Sequence, residues 1–302
     1  MASVMEQLSK SVADVVEGVA PSVVGVGAGG SGVVIGSGLV VTNAHNIRGD
    51  EVVITFDDGR RAAGMPAGVD VDGDLAVVAV DTADAPSLAL ATTASRRGEA
   101  VVALANPGGR GVRVGVGFVS ALGVAFRGPG GRRVEGAMEH TAPLARGSSG
   151  GPVVDVHGRL VGIDTHRVGD GFYLALPADD KLRDRLAALG RGDVPHRPRL
   201  GIAVAPPHVA RRLQRSVGLP ERDGLLVHAV EDGSPAARAG IRQGDLVVRA
   251  AGSAVTNVDE LAAALEGADP VGPVELLVVR ATEEITVAVD MAGTGPSHQG
   301  SA

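Results

Sequence analysis

Short valine-rich runs separated by glycine set the fold class of this chain. The runs fall at Val23–Val26, Gly32–Ile35, Leu39–Thr42, Val52–Phe56 and Leu75–Val80. Others follow at Val101–Ala105, Val112–Val119, Gly136–Thr141, Val153–Val156, Leu160–Asp164 and Phe172–Leu176. Such lengths suit strands, and β-branched residues favour a pleated, half-buried surface. Glycine supplies 45 of 302 residues, about twice the usual share, and supports many tight turns. Asp58-Gly59 and His157-Gly158 are turn signals between two such runs. Aromatics make up only 2%, so the core must be built from Val, Leu, Ile and Ala. The expected architecture is mainly β, a sandwich or a pair of barrels.

Composition removes several functions. The 28 Lys+Arg against 35 Asp+Glu give a net charge of −7, which argues against a nucleic-acid binder. With no cysteine, disulfides, thiol nucleophiles and Cys-ligated zinc are excluded. Residues 18–47 carry no charge, but Pro21 and eight glycines interrupt them, so they read as buried strands and not as a membrane span. The N-terminus has no basic start followed by an apolar stretch. As given, the chain is expected to be cytoplasmic, or extracytoplasmic if a leader has been removed.

Helical spacing appears at Val4–Val19, ended by Pro21, and at Asp179–Leu189, with Gly190 as its cap. Residues 191–197 form a polar, proline-bearing break, expected to link a first domain at 1–190 to a second at 198–291. The second domain mixes helices at Pro207–Val217 and Val258–Leu265 with strands at Leu225–Val230, Asp245–Ala250, Val274–Arg280 and Glu284–Asp290. Ser234 is placed to cap a short helix with Pro235 in its first turn. Residues 292–302 read as a disordered tail.

Three segments carry chemistry. Gly147-Ser-Ser149-Gly-Gly-Pro152 suits a nucleophilic serine, because glycines let the backbone turn tightly and aim N–H groups at one point. A serine needs a base, and His45 ends a valine-rich strand in Thr42-Asn-Ala-His45. The base needs an orienting carboxylate, and Asp74 stands directly before an apolar strand. Asp70, Asp72 and Asp74 also mimic a calcium loop, but Leu75 occupies the sixth position, where an EF-hand requires glycine. No metal site or cofactor motif is recognised.

Together these words resemble the HtrA/Deg family of serine proteases over about residues 15 to 290. The order His45, Asp74, Ser149 is the chymotrypsin-like one. Asp70-x-x-x-Asp74-Leu-Ala-Val77, Asn106-Pro-Gly108, Val161-Gly-Ile163 and Ala175-Leu-Pro177 match as well. Gly233-Ser-Pro-Ala-Ala-x-Ala-Gly240 and Gly244-Asp-Leu246 resemble the family's C-terminal PDZ domain.

The resemblance implies a two-barrel chymotrypsin-like protease domain followed by a small α+β PDZ domain. It implies Ser149 as nucleophile, His45 as base, Asp74 as its orienter, and the N–H groups of Gly147 and Ser149 as oxyanion hole. Leu144 falls where the family lines its P1 pocket, so small or medium apolar P1 residues are expected. Leu200, Gly201 and Ile202 match the loop that receives a peptide's C-terminal carboxylate, with Val258, Leu261 and Leu265 as the facing wall. The expected partners are unfolded or damaged polypeptides and C-terminal peptides, without nucleic acid, membrane segment, cofactor or metal. A homo-oligomer, a trimer by resemblance, is also implied. Ser148, Arg146, Thr141 and Asn46 depart from the usual residues, and these bear on whether the nucleophile loop is formed at rest. The alternative is a catalytically dormant, PDZ-containing binding or chaperone-like protein.

Overall fold

The computed structural model describes residues 3–128, 133–169, 171–194, 198–205, 207–216, 222–269 and 272–291. Of the expected linker, 195–197 lie outside the described residues, as does all of the expected tail. The chain divides into two units, Met1–Pro195 and His196–Ala302.

The first unit holds two six-stranded closed barrels. One comprises β1 (Val23–Val26), β2 (Gly30–Gly36), β3 (Leu39–Thr42), β4 (Val52–Thr55), β5 (Arg61–Asp70) and β6 (Leu75–Ala79), in the order β1-β2-β3-β6-β5-β4. The other comprises β7 (Ala100–Ala105), β8 (Arg113–Arg127), β9 (Arg133–His140), β10 (Pro152–Val154), β11 (Leu160–Gly169) and β12 (Phe172–Pro177), in the order β10-β11-β12-β9-β8-β7.

The valine doublets now have a reason. Val24, Val34, Val40 and Val78 join one cluster with Ile54 and Phe56. Their neighbours Val23, Val33, Val41 and Val77 join another, with Leu104 and Ile163 of the second barrel. Successive strand residues point to opposite faces, so both faces of these strands are buried and continuous apolar runs replace alternation.

Two helices flank the barrels. α1 (Val4–Val19) opens with a capping box between Ser3 and Glu6. α2 (Asp180–Gly190) is capped by Asp179, whose side chain accepts from Leu182 N. It runs through Gly190 and closes at Arg191, one residue beyond the expected end. Leu182, Leu186 and Leu189 seat α2 in the cluster that holds Leu75 and Val77.

The second unit is a sheet in the order β13-β14-β15-β17-β18, with β16 paired to β15. Its strands are β13 (Ile202–Val204), β14 (Leu225–Val230), β15 (Leu246–Ala250), β16 (Ser253–Ala254), β17 (Val274–Arg280) and β18 (Glu283–Val289). The helices are α3 (Pro207–Ser216), α4 (Pro235–Arg238) and α5 (Val258–Glu266). Ser234 caps α4 as expected, accepting from Ala237 N at 3.1 Å. This unit has a core of its own, including Leu225, Val247, Leu261 and Leu276.

Candidate active site

His45 lies just beyond the end of β3, in a single 3-10 turn. Asp74 closes the turn between β5 and β6, since Asp70 pairs directly with Leu75. Their strands are neighbours, as Thr42 pairs with Ala76. Hence residues 29 positions apart meet: His45 Nδ1 lies 2.8 Å and 3.0 Å from the two Asp74 carboxylate oxygens. The His45 backbone N–H adds a bond to Asp74 Oδ1 at 3.3 Å. Asp74 is buried, at 2% exposure, whereas the His45 side chain is 35% exposed. A carboxylate at Nδ1 favours the tautomer with its proton there, which leaves Nε2 free to accept.

Ser149 lies in the loop before β10. Its hydroxyl donates to Thr165 O at 3.0 Å. Thr165, on β11, also donates from Oγ1 to Asp74 Oδ2 at 2.5 Å. One residue of the second barrel therefore touches both Asp74 and Ser149. Among the described residues, Ser149 and His45 share no hydrogen bond, so the serine proton rests on the Thr165 carbonyl. Sequence reasoning missed Thr165. Its only signal was its position directly after the strand word Val161-Gly-Ile163-Asp164.

The peptide planes around Ser149 are fixed one by one. Gly147 O accepts from Ser31 Oγ at 2.8 Å, and Ser148 O accepts from Gly151 N at 2.8 Å. Ser149 O accepts from Ser31 N at 3.1 Å and from Asn46 Nδ2 at 2.8 Å. In a trans peptide the N–H points opposite to the C=O, so fixing Ser148 O also fixes the direction of the Ser149 N–H. Among the described residues, neither Gly147 N nor Ser149 N has a partner. Gly147 has φ +88, and a Cβ there would lie 2.1 Å from Gly29 O. Only glycine fits that crossing.

The departures seen in the sequence find places here. Asn46 ties the His45 turn to the Ser149 carbonyl and also bonds Thr42 Oγ1 at 3.0 Å. Ser148 Oγ donates to Ala145 O at 2.5 Å, and Thr141 Oγ1 accepts from Phe118 N at 3.0 Å. Leu144 is buried beside Ala142 and Tyr173, and its carbonyl accepts from Tyr173 OH at 3.1 Å. A second His–Asp pair lies beneath: His140 Nε2 is 2.8 Å from Asp164 Oδ1, with both side chains buried.

In the second unit, β13 is an edge strand. Leu200 O accepts from Ala236 N at 3.0 Å and Gly201 O from Glu231 N at 2.9 Å. The N–H groups sharing those peptide planes, on Gly201 and Ile202, point the other way. Leu200 is buried and Ile202 half-buried. Leu261 and Leu265 belong to the core, while Val258 stays 45% exposed. No described helix is long and apolar enough to cross a membrane.

A trypsin-like peptidase domain model matches residues 30–163, and a PDZ domain model matches residues 226–280. HhoA of Synechocystis sp., which carries the name of a serine protease, is 33% identical over 280 residues, covering 87% of this chain and 70% of that protein. A protein of Halomonas elongata named as a DegP-like periplasmic serine endoprotease is 31% identical over 286 residues, covering 90% of this chain and 58% of that protein. Among solved structures, the HtrA-type protease AlgW with tripeptide superposes with a TM-score of 0.60 at 27% identity, covering 92% of this chain and 95% of that one.

Proposed function

Because the chain belongs to the HtrA/DegP family of serine proteases, we propose that it is an endopeptidase hydrolysing unfolded or damaged polypeptides through an acyl-enzyme on Ser149. The observation that carries this reading is the double contact of Thr165, whose side chain holds Asp74 and whose carbonyl holds Ser149.

The Ser149 hydroxyl turns from Thr165 O to His45 Nε2 and gives it the proton. Oγ attacks the scissile carbonyl carbon, and the oxygen that gains charge takes the Gly147 and Ser149 N–H groups. Each such donor is worth roughly 3–4 kcal/mol in the transition state. His45 then protonates the leaving amine, and an ester remains on Ser149. Water, losing its proton to His45, hydrolyses that ester and restores the hydroxyl. Asp74 stabilises the imidazolium formed in each half.

Leu144 favours small or medium apolar P1 side chains in this scheme. The outward N–H groups of Gly201 and Ile202, on the open edge of β13, suit strand addition by a C-terminal peptide. A peptide bound there tethers a substrate or activates the protease; AlgW was solved with a tripeptide. DegP-like relatives named as periplasmic favour an extracytoplasmic site of action. A homo-oligomer belongs to the same reading, with Val4, Met5 and Leu8 exposed on α1; light scattering reads its mass.

A second reading, a dormant binding protein, is favoured by the Ser149 proton resting on Thr165 O. A fluorophosphonate probe separates the two. The protease reading expects an adduct mapped to Ser149, formed faster with an apolar C-terminal peptide present. Both adduct and hydrolysis should vanish in Ser149→Ala. Silence with and without peptide, despite peptide binding, would establish the dormant reading instead.

A further inference from the structure

The turn that presents Asp74 is held from behind by a helix far away in sequence. Asp74 sits at φ +48, a conformation a residue with a side chain keeps only where its surroundings enforce it. Within the turn, Asp70 Oδ1 accepts from Gly73 N at 2.9 Å. Arg185 of α2 reaches the turn from outside: one guanidinium nitrogen, Nη2, donates to Asp70 Oδ2 at 2.8 Å and to Gly73 O at 3.2 Å. A Cβ on residue 73 would lie 2.1 Å from that nitrogen, so Gly73 is what admits the contact.

Both peptide planes flanking the Asp74 Cα are thereby fixed. The 73–74 plane is held at both ends, by Arg185 through Gly73 O at 3.2 Å and by Asp74 N donating to Val71 O at 3.3 Å, and Asn43 Nδ2 holds the 74–75 plane through Asp74 O at 2.8 Å. Two fixed planes determine where the Cα–Cβ bond points, and so where the carboxylate meets His45. The base from which Arg185 reaches is rigid, because Leu182, Leu186 and Leu189 bury α2 against the cluster containing Leu75. Asp70 is 3% exposed, unlike the partners of an ordinary surface ion pair.

We propose that Arg185 is a positioning residue for the active site, which rests on the triad reading above: by fixing the 73–74 peptide it sets the angle at which Asp74 meets the His45 imidazole. It touches neither substrate nor reacting atoms. Both of its contacts to the turn come from one nitrogen, so a lysine ammonium at the same place serves nearly as well.

The test uses the full chain and two readouts. The first is the far-downfield proton resonance of His45 Nδ1–H, which needs no turnover. The second is kcat and KM. Arg185→Ala should broaden or remove the resonance and lower kcat by between about ten- and a hundredfold, as small misplacements of catalytic groups do, with KM little changed. Arg185→Lys should restore both. A resonance and kcat unchanged in Arg185→Ala, with only the unfolding temperature lowered, would reduce Arg185 to a stabilising ion pair. If Arg185→Ala does not fold, Asp70→Asn keeps the Gly73 N–H acceptor while weakening the Arg185 contact, and the same resonance decides. A wild-type resonance without hydrolysis would sink the protease reading and leave this one measurable.

Discussion

Asp164 carries a burial cost that nothing in its surroundings fully repays. Its Oδ2 has no partner and is buried, while Oδ1 accepts from His140 Nε2. Ala142 N donates to His140 Nδ1 at 3.3 Å, which places the imidazole N–H facing Asp164 on Nε2. Burial pushes the Asp164 carboxyl above the usual range, and the His140 hydrogen bond only offsets part of that. The folded protein therefore keeps this proton at a pH where the unfolded chain has released it. Its contribution to stability is complete below the ordinary carboxyl value of about 3.9 and is lost as pH rises through the folded value. In Asp164→Asn that loss disappears, while the new amide leaves its buried NH2 group unpaired at a pH-independent cost of about 1–3 kcal/mol. The unfolding temperature of the variant relative to the parent should therefore climb from pH 4 toward pH 8. A pH-independent difference would show that Asp164 is not the titrating group. His45, Asp74 and Ser149, the residues of the proposed site, could be singled out in sequence because each lies in a local word; the structure brings His45 and Asp74 together. Asn46 was marked only as a departure, without its partner 103 residues away, and Thr165 and Arg185 were not marked at all, because they act on partners 91 and 112 to 115 residues away and nothing local marks such a reach.

Among the elements, those with apolar runs were readable and those set by their neighbours were not. The valine doublets announced β1, β3 and β6, since both faces of each are buried. β5 has no such run: Arg61–Asp70 alternates irregularly between exposed and buried, and its register shifts between Pro66 and Gly68. It is a strand because β4 and β6 pair with it on either side. β8 runs on to Arg127 as half of a long hairpin with β9, past the valine run that predicted it. β13 is three residues long, and its turn holds the clearest element-scale prediction. Gly201 has φ +74, and a Cβ there would lie 2.3 Å from Ser234 Cβ, at the cap of α4. Gly201→Val should cost about 1–3 kcal/mol from the backbone conformation alone and turn aside the Gly201 and Ile202 N–H groups proposed to receive a peptide carboxylate. Peptide titration by calorimetry should find binding lost, with the Ser149 labelling rate without peptide unchanged. Undiminished peptide affinity would move the carboxylate site away from this turn.

At the scale of the whole molecule, two separate cores imply two unfolding events, and the chain carries a built-in way to tell them apart. Tyr173 is its only tyrosine and there is no tryptophan, so intrinsic fluorescence reports the first unit alone, where Tyr173 packs with Ala142 and Leu144. The second unit is pinned by Asp245, 1% exposed, which takes both 2.8 Å bonds of the Arg280 fork and the Arg242 N–H at 2.9 Å. Burial raises this carboxyl, but the Arg280 and Arg242 bonds outweigh it and hold the group below the usual range. The sign is therefore opposite to that of Asp164: the stabilisation is present above the ordinary carboxyl value and is lost as pH falls through the folded one. Asp245→Asn keeps the shape and removes the charge. Calorimetry at neutral pH should show one transition lowered and the other unmoved, and the unmoved one should coincide with the Tyr173 fluorescence change. Sites in separate cores should behave additively, so combining Asp164→Asn with Asp245→Asn should shift each transition as its single variant does. A Tyr173 transition that follows Asp245→Asn downward would instead show that the two units unfold as one.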